Sequence, residues 1–162
     1  MRSVVLEELA RYFERQYGVR AERDRVFLWP EGTVRADLYL PPPLHCLVQF
    51  DDEEHCTRQR AETIAQYPPD LPVNFDVRRY LNDTRDGDAA VARTDSLADR
   101  LPVAHGLNPT VRIRYDELTE PLRECLEKLL ARRLAYHAGT TFQQMLVTAG
   151  GKPHRPVMEQ GT

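Results

Sequence analysis

Two alternating stretches on either side of three consecutive prolines constrain this chain more than any other feature. Val34, Ala36, Leu38 and Leu40 alternate with Arg35, Asp37 and Tyr39. After Pro41-Pro42-Pro43-Leu44, Cys46, Val48 and Phe50 alternate with Leu47, Gln49 and Asp51. Side chains of a strand point to opposite faces in turn, so both stretches read as strands with one apolar side, and the prolines force a break between them. Antiparallel pairing about that break, with the apolar faces matched, sets Asp37 opposite Gln49 and Arg35 opposite Asp51. All four then share one polar face.

The rest of the chain supplies elements to pack on that pair. Residues 4–17 carry Val5, Leu9, Tyr12, Phe13 and Gln16 at helical spacing, and Gly18 ends the run. A short strand over 25–29 precedes a turn at Pro30-Glu31-Gly32. A helix over 56–66 stops before Pro68-Pro69, and Val73, Phe75 and Val77 mark a further strand. From 82 to 109 five aspartates (Asp83, Asp86, Asp88, Asp95, Asp99) punctuate small residues. With no sustained apolar period, this stretch reads as a long loop excursion holding one helical turn near 96–101. A strand over 110–115 and a leucine-striped helix over 117–137 complete one domain, residues 1–138. Residues 139–162, with Gly150-Gly151, Pro153 and Pro156, read as a loosely held tail. The predicted fold class is α/β, a central mixed β-sheet flanked by helices.

Composition narrows the function classes. At 162 residues and 41% hydrophobic, the chain suits a single domain with one core. No run of about 18 apolar residues is present, so no membrane span is expected. The N-terminal residues become charged before a signal-type apolar segment forms. Three cysteines, Cys46, Cys56 and Cys125, are odd in number and lack a CxxC pair, which points to reduced thiols in the cytoplasm. Gly-rich phosphate loops, Ser-His-Asp spacings and zinc motifs are all missing. The net charge of −3 does not advertise nucleic-acid binding, so the positions of the arginines matter more than their sum.

The hairpin carries the chemistry. Two carboxylates and an amide oxygen on one face form an oxygen donor set of the kind that a hard cation such as Mg²⁺ takes. The same residues also read as a solvated polar face, with Arg35–Asp51 a cross-strand ion pair. Asp52-Glu53-Glu54 suits the start of a helix, and His55 suits a cap or a surface position. Arg58, Arg60, Arg78, Arg112 and Arg114 fall on polar faces where guanidinium groups could meet phosphates. Local pairing with Asp76, Asp116 or Glu62 is the competing use.

Asp37 followed after a turn by Gln49-Phe50-Asp51 resembles the Asp…(Glu/Gln)-x-(Lys/Asp) hairpin of the PD-(D/E)xK restriction-endonuclease-like superfamily. The order of elements over roughly residues 25–81, with His55 just beyond the second strand, is similar to the small branch related to very-short-patch repair endonucleases. The resemblance implies a Mg²⁺- or Mn²⁺-dependent DNA endonuclease, or a nuclease-like component of a repair or defence system. By the same resemblance Asp37 and Asp51 hold the metal, with Gln49 as a neutral ligand where glutamate is usual. His55 positions water or phosphate, and Glu8 supplies a helix carboxylate. No lysine stands at the x-Lys position. The alternatives are a catalytically silent domain of this fold that binds nucleic acid or a protein partner, and an interaction protein using the leucine-rich helix over 118–134. A homodimer fits either one.

Overall fold

The computed structural model describes residues 1–135 and 140–148. Among these it holds a mixed α/β arrangement: a four-stranded mixed sheet, a separate two-stranded hairpin and six α-helices. No helix among the described residues is long and apolar enough to cross a membrane.

Helix α1 (Arg2–Tyr17) buries Val5, Leu6, Leu9, Tyr12 and Phe13 on one side. It ends where Gly18 takes φ 64° and its N–H bonds back to the Glu14 carbonyl, a left-handed cap that glycine adopts without strain. The short β1 (Glu22–Arg23) follows, unanticipated by the sequence. Next come β2 (Val26–Trp29) and β3 (Gly32–Arg35), which pair as a hairpin around Pro30-Glu31.

The stretch expected as one strand over 34–40 is two. After β3 the chain leaves the hairpin at Ala36-Asp37 and enters the main sheet as β4 (Leu38–Leu40). The alternation conceals this break because its apolar residues serve two cores. Val34 and Ala36 pack with Tyr39 and Leu47 on one side, while Leu38 and Leu40 face the other.

The sheet order is β1-β4-β5-β6, with β5 (Cys46–Asp51) central and β6 (Val111–Arg114) parallel to it. Leu38 pairs with Val48 and Leu40 with Cys46, the register that the matched apolar faces required. Cys46, Val48, Phe50, Val111 and Ile113 face α1 and α5 (Leu122–Ala135), forming the largest core. Each fully buried side chain there contributes roughly 1.5–3 kcal/mol. Helix α5 starts later than the expected 117, because a 3-10 turn occupies Tyr115–Glu117.

The long crossover from β5 to β6 covers the opposite face. It begins with a 3-10 turn at Glu53–His55 and continues through α2 (Arg58–Ala65), α3 (Val77–Leu81) and α4 (Ala89–Ala104). Two expectations fail here. The strand placed on Val73, Phe75 and Val77 reduces to a single bridge, Asn74 to Val111. These three side chains are buried as the alternation required, but Asp76 caps α3 by accepting the Arg79 N–H, which turns the chain into a helix.

The supposed loop over 82–109 contains the 16-residue α4. Asp88 caps it by accepting the Ala90 N–H at 2.7 Å. Its inward stripe holds Ala92, Asp95, Ser96, Ala98 and Asp99, too polar and too small to show an apolar period. Pro102 sits in its last turn and cannot donate to Ala98; the Thr110 hydroxyl bonds that carbonyl at 2.7 Å instead.

Part of the expected tail is also structured. Helix α6 (Phe142–Thr148) buries Phe142 against Tyr67 in a second core with Ile64, Phe75 and Tyr80. The remainder, 139 and 149–162, lies outside the described residues.

Candidate metal centre

The residues that the hairpin reading placed together line one cavity, but each side chain is already partnered. Gln49 spends both ends of its amide on backbone. Its Oε1 accepts the Asp37 N–H at 2.7 Å, and its Nε2 donates to the Arg35 carbonyl at 2.9 Å. Asp37 accepts the Phe50 N–H on Oδ2 at 2.8 Å and Arg2 Nη2 on Oδ1 at 2.5 Å. These contacts replace ladder hydrogen bonds where β3 and β4 part, which gives Gln49 and Asp37 a role in shaping the strand break.

Asp51 is fully buried. Arg112 Nη1 donates to its two oxygens at 2.8 and 3.0 Å, and the Tyr80 hydroxyl donates to Oδ2 at 2.6 Å. The ion pair expected between Arg35 and Asp51 does not form. Arg35, on the hairpin, reaches Asp24 instead at 3.5 Å. Burial, and after it the neighbouring Asp95 carboxylate, push the Asp51 pKa upward against the pull of the Arg112 guanidinium.

His55 sits at the end of the 3-10 turn, one quarter exposed, with Nδ1 2.7 Å from Asp95 Oδ2. That hydrogen bond raises the imidazole pKa against the opposing effect of burial. Ligand atoms of Asp51, His55 and Asp95 all lie within 4.8 Å of one another, a grouping that could hold a metal ion. They border a cavity of about 360 Å³ that also touches Arg2, Arg35, Asp37 and Gln49.

Beneath this group runs a buried charge network. Asp99 accepts Arg60 Nη2 at 2.5 Å, the Tyr67 hydroxyl at 2.6 Å and Arg112 Nε at 2.7 Å. Arg112 Nη2 donates to the Asp95 carbonyl at 3.0 Å. Burial alone would raise the pKa of Asp99, but Arg112 and Arg60 together hold it below the usual carboxylate value. On the far side of Tyr80, Arg114 forms paired hydrogen bonds with Asp83 and Asp116 and lies 4.6 Å from the ring centre.

Three of the five arginines assigned to nucleic acid are therefore removed from that role. Arg60, on the crossover helix α2, and Arg112 and Arg114, on the sheet face that the crossover roofs, are buried in ion pairs, because a guanidinium between roof and sheet must be neutralised in place. Arg58 is exposed but held by Glu62 and Asp86, and Arg78 is exposed. Glu8 pairs with Arg11 on the flank of α1 and does not border the cavity; Arg2 is the residue that α1 sends there. Asp95 and Asp99 belong to the stretch that reads as a loop in sequence. The available signal is their spacing of four, which puts both on one side of a helix.

No family model, curated protein or solved structure matches the chain.

Asp51, Asp95 and Asp99 carry three negative charges against two on Arg60 and Arg112, which leaves one in excess beside a neutral His55. That excess is met by a proton, on His55 or on the adjoining Asp51 and Asp95 carboxylates, or by a cation. Two carboxylates with one imidazole form a mixed oxygen–nitrogen donor set of a kind that divalent cations take. The Arg112 guanidinium beside Asp51 opposes a cation there.

Proposed function

We propose that this chain is a metal-dependent phosphodiester hydrolase acting on DNA, on a restriction-endonuclease-like sheet. The observation that carries the reading is the convergence of Asp51, His55 and Asp95 within 4.8 Å at the edge of a cavity whose rim holds Arg2 and Arg35. Relative to the hairpin ligand set, the centre shifts from Asp37, Gln49 and Asp51 toward Asp51, His55 and Asp95. Bound there, Mn²⁺ or Mg²⁺ supplies Lewis-acid polarisation of a phosphoryl oxygen and a more acidic water. Arg2, 41% exposed, and Arg35, 70% exposed, orient an anionic group entering the cavity. Asp95 orients the His55 ring through Nδ1, which leaves Nε2 as the nitrogen available to a cation.

Calorimetric titration of wild type, Asp95→Asn and His55→Ala with MnCl₂, paired with a plasmid-nicking assay, tests this. Wild type gives weak saturable heats and nicks DNA. Both variants, confirmed folded by circular dichroism, lose both properties. Identical heats in all three proteins would remove the centre.

A second reading is favoured by the closed state of the hairpin. Both ends of Gln49 and both oxygens of Asp37 are occupied, as expected for a silent domain of this fold that binds DNA without cutting it. DNA binding with no Mn²⁺-dependent nicking would select it.

A further inference from the structure

Beside α4 lies a second cavity, of about 580 Å³, on the side turned toward α2. Helix α2 and the residues just after it contribute Thr63, Gln66 and Tyr67 to its walls, and α4 contributes Arg93, Ser96 and Arg100 among others. Among the described residues no carboxylate lines it. That is unusual in a chain with 25 acidic and 22 basic side chains, where most arginines are met by an acid. Arg93 and Arg100 are both exposed, and among the described residues neither forms an ion pair or a hydrogen bond. They stand seven residues apart on one helix, two turns or about 10 Å along its axis, so both point along the same side. Thr94 borders this cavity and also the one at the metal centre, so the two spaces adjoin across a single side chain of α4.

From these observations we infer that the cleft between α2 and α4 is a phosphate-binding track, on which the backbone of a nucleic-acid strand continues from the metal centre past Thr94 to Arg93 and Arg100. The inference rests on the reading of the chain as acting on DNA and adds the surface that holds the strand. Unpaired guanidiniums keep their full donor set for phosphate oxygens, and the Thr63, Gln66 and Ser96 side chains add neutral hydrogen-bonding groups that do not repel an anion. Arg60, Arg112 and Arg114 cannot serve here, since their charges are spent inside the fold.

The test is fluorescence anisotropy of a labelled duplex oligonucleotide across a salt series. It compares wild type, Arg93→Gln/Arg100→Gln, and Arg132→Gln, an exposed arginine on α5 beyond the opposite face of the sheet. Because the double variant no longer neutralises two phosphates, its slope of log affinity against log salt should fall by about 2. Its affinity should drop roughly tenfold or more at about 0.1 M salt, with Arg132→Gln unchanged. In the nicking assay the double variant should raise KM and leave kcat and the Mn²⁺ heats as in wild type. Equal affinity and slope in wild type and the double variant would overturn the track while leaving the metal centre standing. Arginine-dependent binding without any Mn²⁺-dependent nicking supports the track and removes hydrolysis. A third arm titrates inorganic pyrophosphate. Binding of pyrophosphate that needs Arg93 and Arg100, with no binding of the oligonucleotide, overturns the strand in favour of a small phosphate ligand.

Discussion

Replacing Asp99 by asparagine removes one charge from the centre of the buried network without changing the size of the side chain. In the native protein its two oxygens receive three donors, from Arg60, Tyr67 and Arg112, at 2.5 to 2.7 Å. Asparagine keeps one acceptor and turns an NH₂ toward those donors. Arg60, fully buried, loses the carboxylate it is paired with, while Arg112, also fully buried, keeps Asp51 and Asp95. Breaking a buried ion pair from one side typically costs about 3–5 kcal/mol, a large part of the total stability of a domain. For a chain of this length that is a fall in Tm of roughly 6–20 °C.

Urea denaturation followed through Trp29, the single tryptophan, which stacks on His105 at 4.8 Å, gives the difference directly. The sign with pH is fixed. Because the folded-state pKa of Asp99 is depressed, its contribution is complete above the unfolded value of about 3.9 and is lost only as pH falls through the lower folded value. The gap between wild type and Asp99→Asn should hold constant from pH 7 to pH 5. A loss below about 1 kcal/mol, or a gap already closing at pH 5, would refute the account of a dry, charge-balanced network.

The other predictions concern the same face of the sheet. Gln49→Glu, which would restore a carboxylate on the second strand, sets an oxygen against the Arg35 carbonyl and should cost about 1–3 kcal/mol by urea titration, with no gain in Mn²⁺ affinity. A stable variant with tighter binding would show that the Gln49 hydrogen bonds are dispensable. Arg2→Ala removes positive charge from the cavity rim and frees Asp37, so Mn²⁺ affinity should rise. Because Arg2 is 41% exposed and screened by solvent, the gain should stop at a few-fold, read by calorimetry. Among the thiols, Cys46 is buried with its pKa pushed up to about 12, and burial likewise raises Cys56, so native-state labelling with a disulfide reagent at about pH 8 should modify Cys125 first.

Alternation was a reliable guide wherever one strand faced one core. It placed Cys46, Val48 and Phe50 on one face, Gln49 and Asp51 on the other, and fixed the β4–β5 register. It failed over 34–40 because Val34 and Ala36 serve a different core from Leu38 and Leu40, so an unbroken pattern spans a real break. It failed again at Val73, Phe75 and Val77, where burial is real but the ladder is a single bridge. The larger miss was α4. An apolar period identifies a helix only when its inner side meets apolar groups, and here that side meets Arg60 and Arg112, so aspartates take the inner positions. Without α4, the sequence could supply Asp51 and His55 to the candidate centre but not Asp95.

The same packing explains why a metal-competent group arises at this place. Strand parity gives β5 and β6 a polar face carrying Gln49, Asp51, Arg112 and Arg114. A face left in water could keep those charges loosely paired. Once the crossover covers it, each charge needs a partner within the roof, and α2 and α4 supply Arg60, Asp95 and Asp99. The sum is uneven by one negative charge, and a buried excess is costly unless something positive can reach it. His55 is the member of the cluster that remains partly open to solvent, so the imbalance is exposed to the outside only through that side chain and the cavity beside it. Neutralising the excess from within, by Asp95→Asn, should therefore abolish cation binding while disturbing the fold less than Asp99→Asn, which removes a charge that both guanidiniums use. If Asp95→Asn unfolds the protein as readily as Asp99→Asn, the excess charge is not where the count places it, and the case for the centre falls with it.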